Sequence, residues 1–185
     1  MTLTKQKIEQ LADYYLKHGF NHTTDEIVEG LGISHKTFFN RYETKDKSVE
    51  LVMDYWFETI RKRFVSKAQD CNHAVEELLQ FLYEIHYIDL NEHFFFKHIL
   101  NHNLFISENA PFLGILRNIL HHGISHYQFK EDFNVELYSV FMMNNLTHYI
   151  YKHEDSGDIV NFLLSPILST RGKTLLEEMD LASFL

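Results

Sequence analysis

Four cations, Lys36, Arg41, Lys45 and Lys47, stand among Phe38, Phe39 and Tyr42 in the stretch GISHKTFFNRYETKDK, residues 32–47. Basic side chains gathered around aromatics can form a surface that presses against a polyanion. The same composition also fits a solvated helix with a few core aromatics. Charge distribution favours the first reading. Residues 1–48 hold seven Lys/Arg and seven Asp/Glu, whereas residues 49–185 hold ten against nineteen, which accounts for the whole formal charge of -9. An acidic body joined to a neutral head with a basic patch brings one end to a polyanion while the rest repels it.

Other chemistry finds less support. Among thirteen histidines, His98 and His102 are four apart, as are His122 and His126, so each pair can share a helix face. No Cys ligand or His-Glu-x-x-His pattern accompanies them, so polar-pocket or surface histidines are expected and no metal. The chain has no Gly-x-Ser-x-Gly elbow, no Cys-x-x-Cys and no Gly-x-Gly-x-x-Gly. The run RGKT at 171–174 lacks the earlier glycine of a phosphate loop, because that position is Ile167. Gly172 is expected to end a helix instead. We expect neither an enzyme nor a cofactor.

These residues need elements to hold them. The chain has 185 residues, 45% apolar and 23% charged, with two prolines and seven glycines, which favours helices. A chain of this length buries roughly 70% of its unfolded surface. A lone cysteine, Cys71, excludes an internal disulfide and fits a reducing cytoplasm. No amino-terminal leader and no apolar run of spanning length are present, so a cytoplasmic protein without membrane contact is expected.

Ile8, Leu11, Ala12, Tyr15 and Leu16 follow helical spacing up to a stop at Gly19. Thr23 with Glu26 forms a capping box before a short helix carrying Ile27, Val28 and Leu31. Gly32 breaks that helix, Ser34 caps a third running to about Tyr42, and Thr44 caps a fourth over 45–68. Two short helices around a turn at Gly32, Ile33 and Ser34 make a helix-turn-helix. Its second helix can enter a major groove with His35, Lys36, Thr37, Phe39, Asn40 and Arg41 outward, and Phe38 and Tyr42 toward the core.

The stretch from Lys5 to about residue 50 resembles the DNA-binding head of the TetR family of bacterial transcriptional regulators. The matching features are the helix ending in Gly19 and Phe20, Thr23 and Thr24, Ile27, the turn at 32–34, Thr37 followed by two aromatics, Tyr42, and Thr44 with Lys45. Relative to the usual pattern, Phe39 stands for a tyrosine, Tyr42 for a phenylalanine and Ser48 for a leucine. The resemblance implies that Lys45, at a helix start, contacts a DNA phosphate. It implies positioning contacts from Thr24, Phe39 and Tyr42, base-edge contacts from His35, Lys36 and Thr37, and further DNA contact at Ser34 and Arg41.

Periodicity beyond residue 50 predicts helices near 73–89, 92–106, 110–127, 134–153 and 157–171, with a short one after Gly172. The expected fold is all-α, with a head at 1–48 and a helical body at 49–185. From the resemblance, the body binds an effector and forms a homodimer. Its apolar stripes would be Val140, Met143, Thr147 and Ile150 on one helix and Ile159, Phe162, Leu163 and Ile167 on the next. Candidate residues for a mostly apolar small-molecule effector are Phe95, His98, Asn101, His102, Phe105, Phe141, Asn144, Asn145 and His148. The expected function is a ligand-responsive repressor released from its DNA operator. A regulator whose effector is a metal or protein, and a dimeric scaffold whose head binds no DNA, are the alternatives.

Overall fold

The computed structural model describes residues 4–152 and 162–179, with the backbone alone for 147–152. The described chain is all-α. Its first four helices are α1 (Lys5–His18), α2 (Thr24–Gly30), α3 (His35–Tyr42) and α4 (Lys45–Ala68). Next come α5 (Ala74–Asn91), α6 (His93–Asn101), a 3-10 turn at Leu104–Ile106, α7 (Pro111–Ser125), α8 (Val135–Lys152) and α9 (Thr170–Glu177).

The 24-residue α4 packs against α1 and α3 and against α5 and α7. Its buried side chains are Ser48, Val52, Met53, Trp56, Phe57, Ile60 and Phe64, a three-and-four spacing that makes one continuous face. At its start Ser48 is fully buried without being a polar orphan. Its hydroxyl meets Tyr15 Oη at 2.8 Å and donates to the Lys45 carbonyl at 2.6 Å. Farther along, Trp56 stacks on Phe95 at 5.2 Å between ring centres, and Phe64 stacks on Phe81 at 5.1 Å.

The middle of the body is α5, with nine buried residues on several faces, as a helix packed all round requires. One of them is Glu84, 1% exposed, and a carboxylate so placed needs partners. Arg63 Nε reaches Glu84 at 2.8 Å, and Lys67 holds its other oxygen. The same Arg63 donates Nη1–H to Glu92 at 2.6 Å, and the Trp56 indole N–H also donates to Glu92. This network ties α4 to the middle of α5 and to the junction between α5 and α6.

Three expected segments differ. The helix expected over 92–106 stops at Asn101, because Asn103 takes a left-handed conformation with φ of 52°, which asparagine tolerates. That turn lets Phe105 fold back onto Phe96 and Phe112, at 5.4 and 4.8 Å. The helix expected over 157–171 is broken in its described part by a turn at 165–167. There Leu168 bridges Phe129, and Lys130 N–H donates to the Ile167 carbonyl at 2.8 Å. Gly172 ends no helix; it lies in the first turn of α9, where its N–H donates to the Ser169 cap at 3.1 Å.

The stripes expected to pair two copies are also corrected. Met143, Leu163 and Ile167 are at most 1% exposed and fill the protomer's own core, while Val140 is half-buried. The side chains of Thr147, Ile150 and Ile159 lie outside the described residues. Of the expected stripes Phe162 does face outward, and Leu137 and Phe141 join it there, with the Phe141 and Phe162 rings 6.1 Å apart.

The segment just after α1 packs against α6. Phe20 stacks on Tyr15 at 4.9 Å and packs against Phe95 at 5.0 Å and His98 at 4.4 Å. Burial, and then neighbouring His102, pulls the His98 imidazole down from 6.5 to about 4. The folded value lies below the unfolded one, so the unfolded chain takes up the extra proton as pH falls. The stability involved is present in full above pH 6.5 and is lost progressively from there toward pH 4. The melting temperature is therefore expected to drop across that window, and His98→Leu to flatten part of the drop. Calorimetry at stepped pH checks it; an unchanged profile in the variant contradicts the assignment.

Candidate nucleic-acid interface

Local hydrogen bonds build the head from its sequence. Thr23 Oγ1 accepts from Glu26 N–H at 3.3 Å while the Glu26 carboxylate accepts from Thr23 N–H at 2.7 Å, closing the capping box of α2. The chain then turns through Gly32 at φ 62°, a conformation that suits glycine, and Ile33 N–H returns to the Val28 carbonyl at 3.0 Å. Ser34 Oγ accepts from Thr37 N–H at 3.1 Å and starts α3. Phe38 and Tyr42, 0% and 2% exposed, fix the inner face of α3.

The outer face carries Ser34, His35, Lys36, Phe39 and Asn40, all exposed. Phe39 is 47% exposed, so it belongs to this surface and not to the core. Thr37 is half-buried, with its hydroxyl 2.9 Å from Ser34 Oγ. His35 Nε2 lies 3.2 Å from the Asp25 carboxylate, so a base contact by His35 must compete with that partner. Lys47 is likewise engaged, donating to Glu50 at 2.7 Å. Lys36 and Lys45 have no ion-pair partner among the described residues. Lys45 is the first residue of α4, where Thr44 Oγ1 accepts from Lys47 N–H at 3.0 Å and other first-turn amides stay open.

One expected contact changes role. Tyr42 is turned inward, and its hydroxyl donates to the Lys7 carbonyl at 3.1 Å, locking α3 onto α1. Burial raises its phenol above the ordinary value, which half-buried Arg41 beside it partly offsets. Thr24 is the first residue of α2 and half-buried, with Thr23 supplying the cap. Asn40, expected outward but given no contact of its own, is exposed on the same face.

The eight expected effector residues whose side chains are described are spread over the core, the α1–α6 side and the outer side of α8. Phe95 and Phe105 are 1% and 3% exposed within the core. His98 and Asn101 line a shallow cleft of about 120 Å³ between α1 and α6, with Phe94 on the same helix and His18 and Asn21 opposite. His102 is exposed beside His98. Phe141, Asn144 and Asn145 lie toward the outer side of α8, where Asn145 Nδ2 donates to the Phe141 carbonyl at 2.8 Å. The His148 side chain lies outside the described residues. Among the described residues no group of three His, Cys, Asp or Glu is placed to hold a metal. Burial and three acidic neighbours push the Cys71 thiol up to about 11, far from a reactive thiolate.

No protein-family model matches the chain, and no curated protein matches it by sequence. Solved structures do match. RolR in complex with resorcinol aligns with a TM-score of 0.64 at 16% identity, covering 96% of this chain and 94% of that one. The transcriptional regulator FadR from Bacillus subtilis, in complex with stearoyl-CoA, aligns at 0.65 and 15% identity over 85% of this chain and 96% of that one. The TetR family protein CprB from S. coelicolor A3(2) aligns at 0.62 and 13% identity over 97% and 96%. At these identities the likeness is one of fold.

Proposed function

We propose, on the premise that this chain has the fold of the TetR-family regulators, that it is a dimeric DNA-binding transcriptional repressor released by a small molecule. The head at 1–48 would dock on a duplex operator, and the body at 49–185 would pair two copies and take the effector. The observation that carries this reading is the free outer face of α3, with unpaired Lys36 beside exposed Phe39 and Asn40, and unpaired Lys45 at the open start of α4. Asp25, which would repel phosphate, is already held against His35. RolR and FadR, which share the fold, were solved with small organic ligands. Among the described residues no helix is long and apolar enough to cross a membrane, in keeping with a cytoplasmic regulator.

Two recognition helices must stand about 34–36 Å apart to enter successive major grooves. Each α4 spans from head to body, and Phe20 seats the end of α1 on α6. A shift of α4 in the body therefore moves the head. A coupling of about 1–3 kcal/mol would change operator affinity roughly 5- to 150-fold.

The test is a salt-dependent gel shift on the region upstream of the protein's own gene. Lys45→Ala is expected to weaken binding to specific and unrelated duplexes alike and to lower the salt slope by about one unit. Lys36→Ala is expected to relax preference at one base pair at a cost of about 1–3 kcal/mol. A Lys45→Ala protein with unchanged affinity and slope overturns the phosphate role. A wild-type protein that binds no duplex at low salt would leave the scaffold reading in its place.

A further inference from the structure

Two hydroxyls meet in the core where α1 packs on the start of α4. Tyr15 and Ser48 are both 0% exposed, and Tyr15 Oη lies 2.8 Å from Ser48 Oγ. Ser48 Oγ is also 2.6 Å from the Lys45 carbonyl, three residues back in α4. A carbonyl can only accept, so the single Ser48 hydroxyl proton goes to Lys45 O. The Tyr15 hydroxyl must then be the donor to Ser48 Oγ. Burial raises the Tyr15 phenol above its ordinary value, which keeps that proton in place at neutral pH. Phe20 stacks on the Tyr15 ring at 4.9 Å and 15°, so the ring that aims the hydroxyl is itself held.

This chain of hydrogen bonds runs from α1 to Lys45, the residue that opens α4. Packing alone would leave that turn free to slide, because apolar contact is non-directional. A hydrogen bond instead weakens steeply once its distance or angle changes. The end of α3 hangs from α1 in the same way, through the Tyr42 hydroxyl and the Lys7 carbonyl. Lys7 and Tyr15 stand two turns apart on α1, about 12 Å along its axis. One helix thus carries two anchor points, one for the helix bearing Lys36 and one for the helix bearing Lys45.

We infer that Tyr15 and Ser48 are positioning residues for the phosphate contact: the Tyr15–Ser48–Lys45 chain of hydrogen bonds holds the first turn of α4 at one distance from α1, and so in register with α3. The inference rests on the regulator reading for its DNA partner. Neither side chain touches the duplex, since both are buried.

The test uses the whole protein and Tyr15→Phe, which keeps the ring and its stack on Phe20 and removes only the hydroxyl. Without DNA, amide hydrogen exchange is expected to speed up about fivefold at Lys47 and Ser48, whose N–H groups bond Thr44, and to stay unchanged in α2 and α5. With duplex, Tyr15→Phe is expected to weaken binding about fivefold and to lower the salt slope by part of the unit that Lys45→Ala removes. In a Lys45→Ala background the same change should weaken binding at most about twofold. A bond with a merely structural role gives a different pattern. Exchange then rises in every helix alike, and Tyr15→Phe weakens binding by the same factor in both backgrounds. Either result overturns the inference, as does an unchanged first turn. Should Tyr15→Phe not fold by circular dichroism, Ser48→Ala is read by the same criteria. Failure in the exchange or the background arm leaves the regulator reading standing, whereas a wild-type protein that ignores every duplex sinks both.

Discussion

A protein with Leu137 and Phe141 both changed to aspartate is expected to sediment as a monomer and to lose about two to four orders of magnitude in affinity for an operator with two half-sites. The two side chains are four apart on α8, 72% and 42% exposed, and Phe162 beside them is 47% exposed. Large apolar groups so displayed gain most by burial against a second copy. A two-fold axis would set this face against itself. Aspartates there would bring like charges together and strip them of water on both copies. The protomer should keep its fold, because neither side chain contributes much to its core, and circular dichroism would verify this. Each head alone would retain only its own weak contacts, without the effective concentration that the partner head supplies. An unchanged sedimentation coefficient in the double variant would exclude this face as the contact. Met143, completely buried, is the contrasting position, where a polar substitution should unfold the protomer instead of separating two.

The second large effect comes from one substitution made twice on α7, with opposite signs. Gly123→Ala should lower stability by about 3 kcal/mol, because the added Cβ would stand 2.1 Å from the Phe129 ring. That ring is 1% exposed, so it has nowhere to go. Moving it would disturb the bridge to Leu168 and the neighbouring Gln128, whose Oε1 accepts from Val75 N–H at the start of α5. Gly114→Ala meets nothing within 4 Å and should gain about 0.5–1 kcal/mol by removing a flexible residue from an exposed helix interior. In melting temperature, Gly123→Ala falls about 6–12 °C and Gly114→Ala rises about 1–4 °C. Scanning calorimetry reads both. A Gly123→Ala protein as stable as the parent would contradict the close packing of α7 on Phe129.

What the sequence determined alone is the head and the starts of its helices. The Thr23–Glu26 box, the turn at Gly32, the Ser34 cap and the Thr44 cap each close between groups three to five residues apart. Such contacts are specified by residue type and spacing, so order along the chain is enough to read them. The inward face of α3 was legible for the same reason, since Phe38 and Tyr42 are four apart. Helical periodicity also placed α4, α5, α7 and α8 to within two residues, because an apolar stripe need only know its own helix.

Partners across long separations were decided by the tertiary structure. Tyr15 finds Ser48 33 residues away, and Tyr42 is turned to Lys7 at a separation of 35, which made an expected phosphate contact into a helix lock. Periodicity marks which residues share a face but not what covers that face. Phe95, Phe105 and Met143 were therefore indistinguishable from Phe141 in sequence, yet three are buried in one protomer and the fourth looks outward. The cleft of about 300 Å³ bounded by α4, α5 and α7 was equally hidden. A cavity is the space that α4, α5 and α7 fail to fill when packed together, and no single helix contains the information about that shortfall.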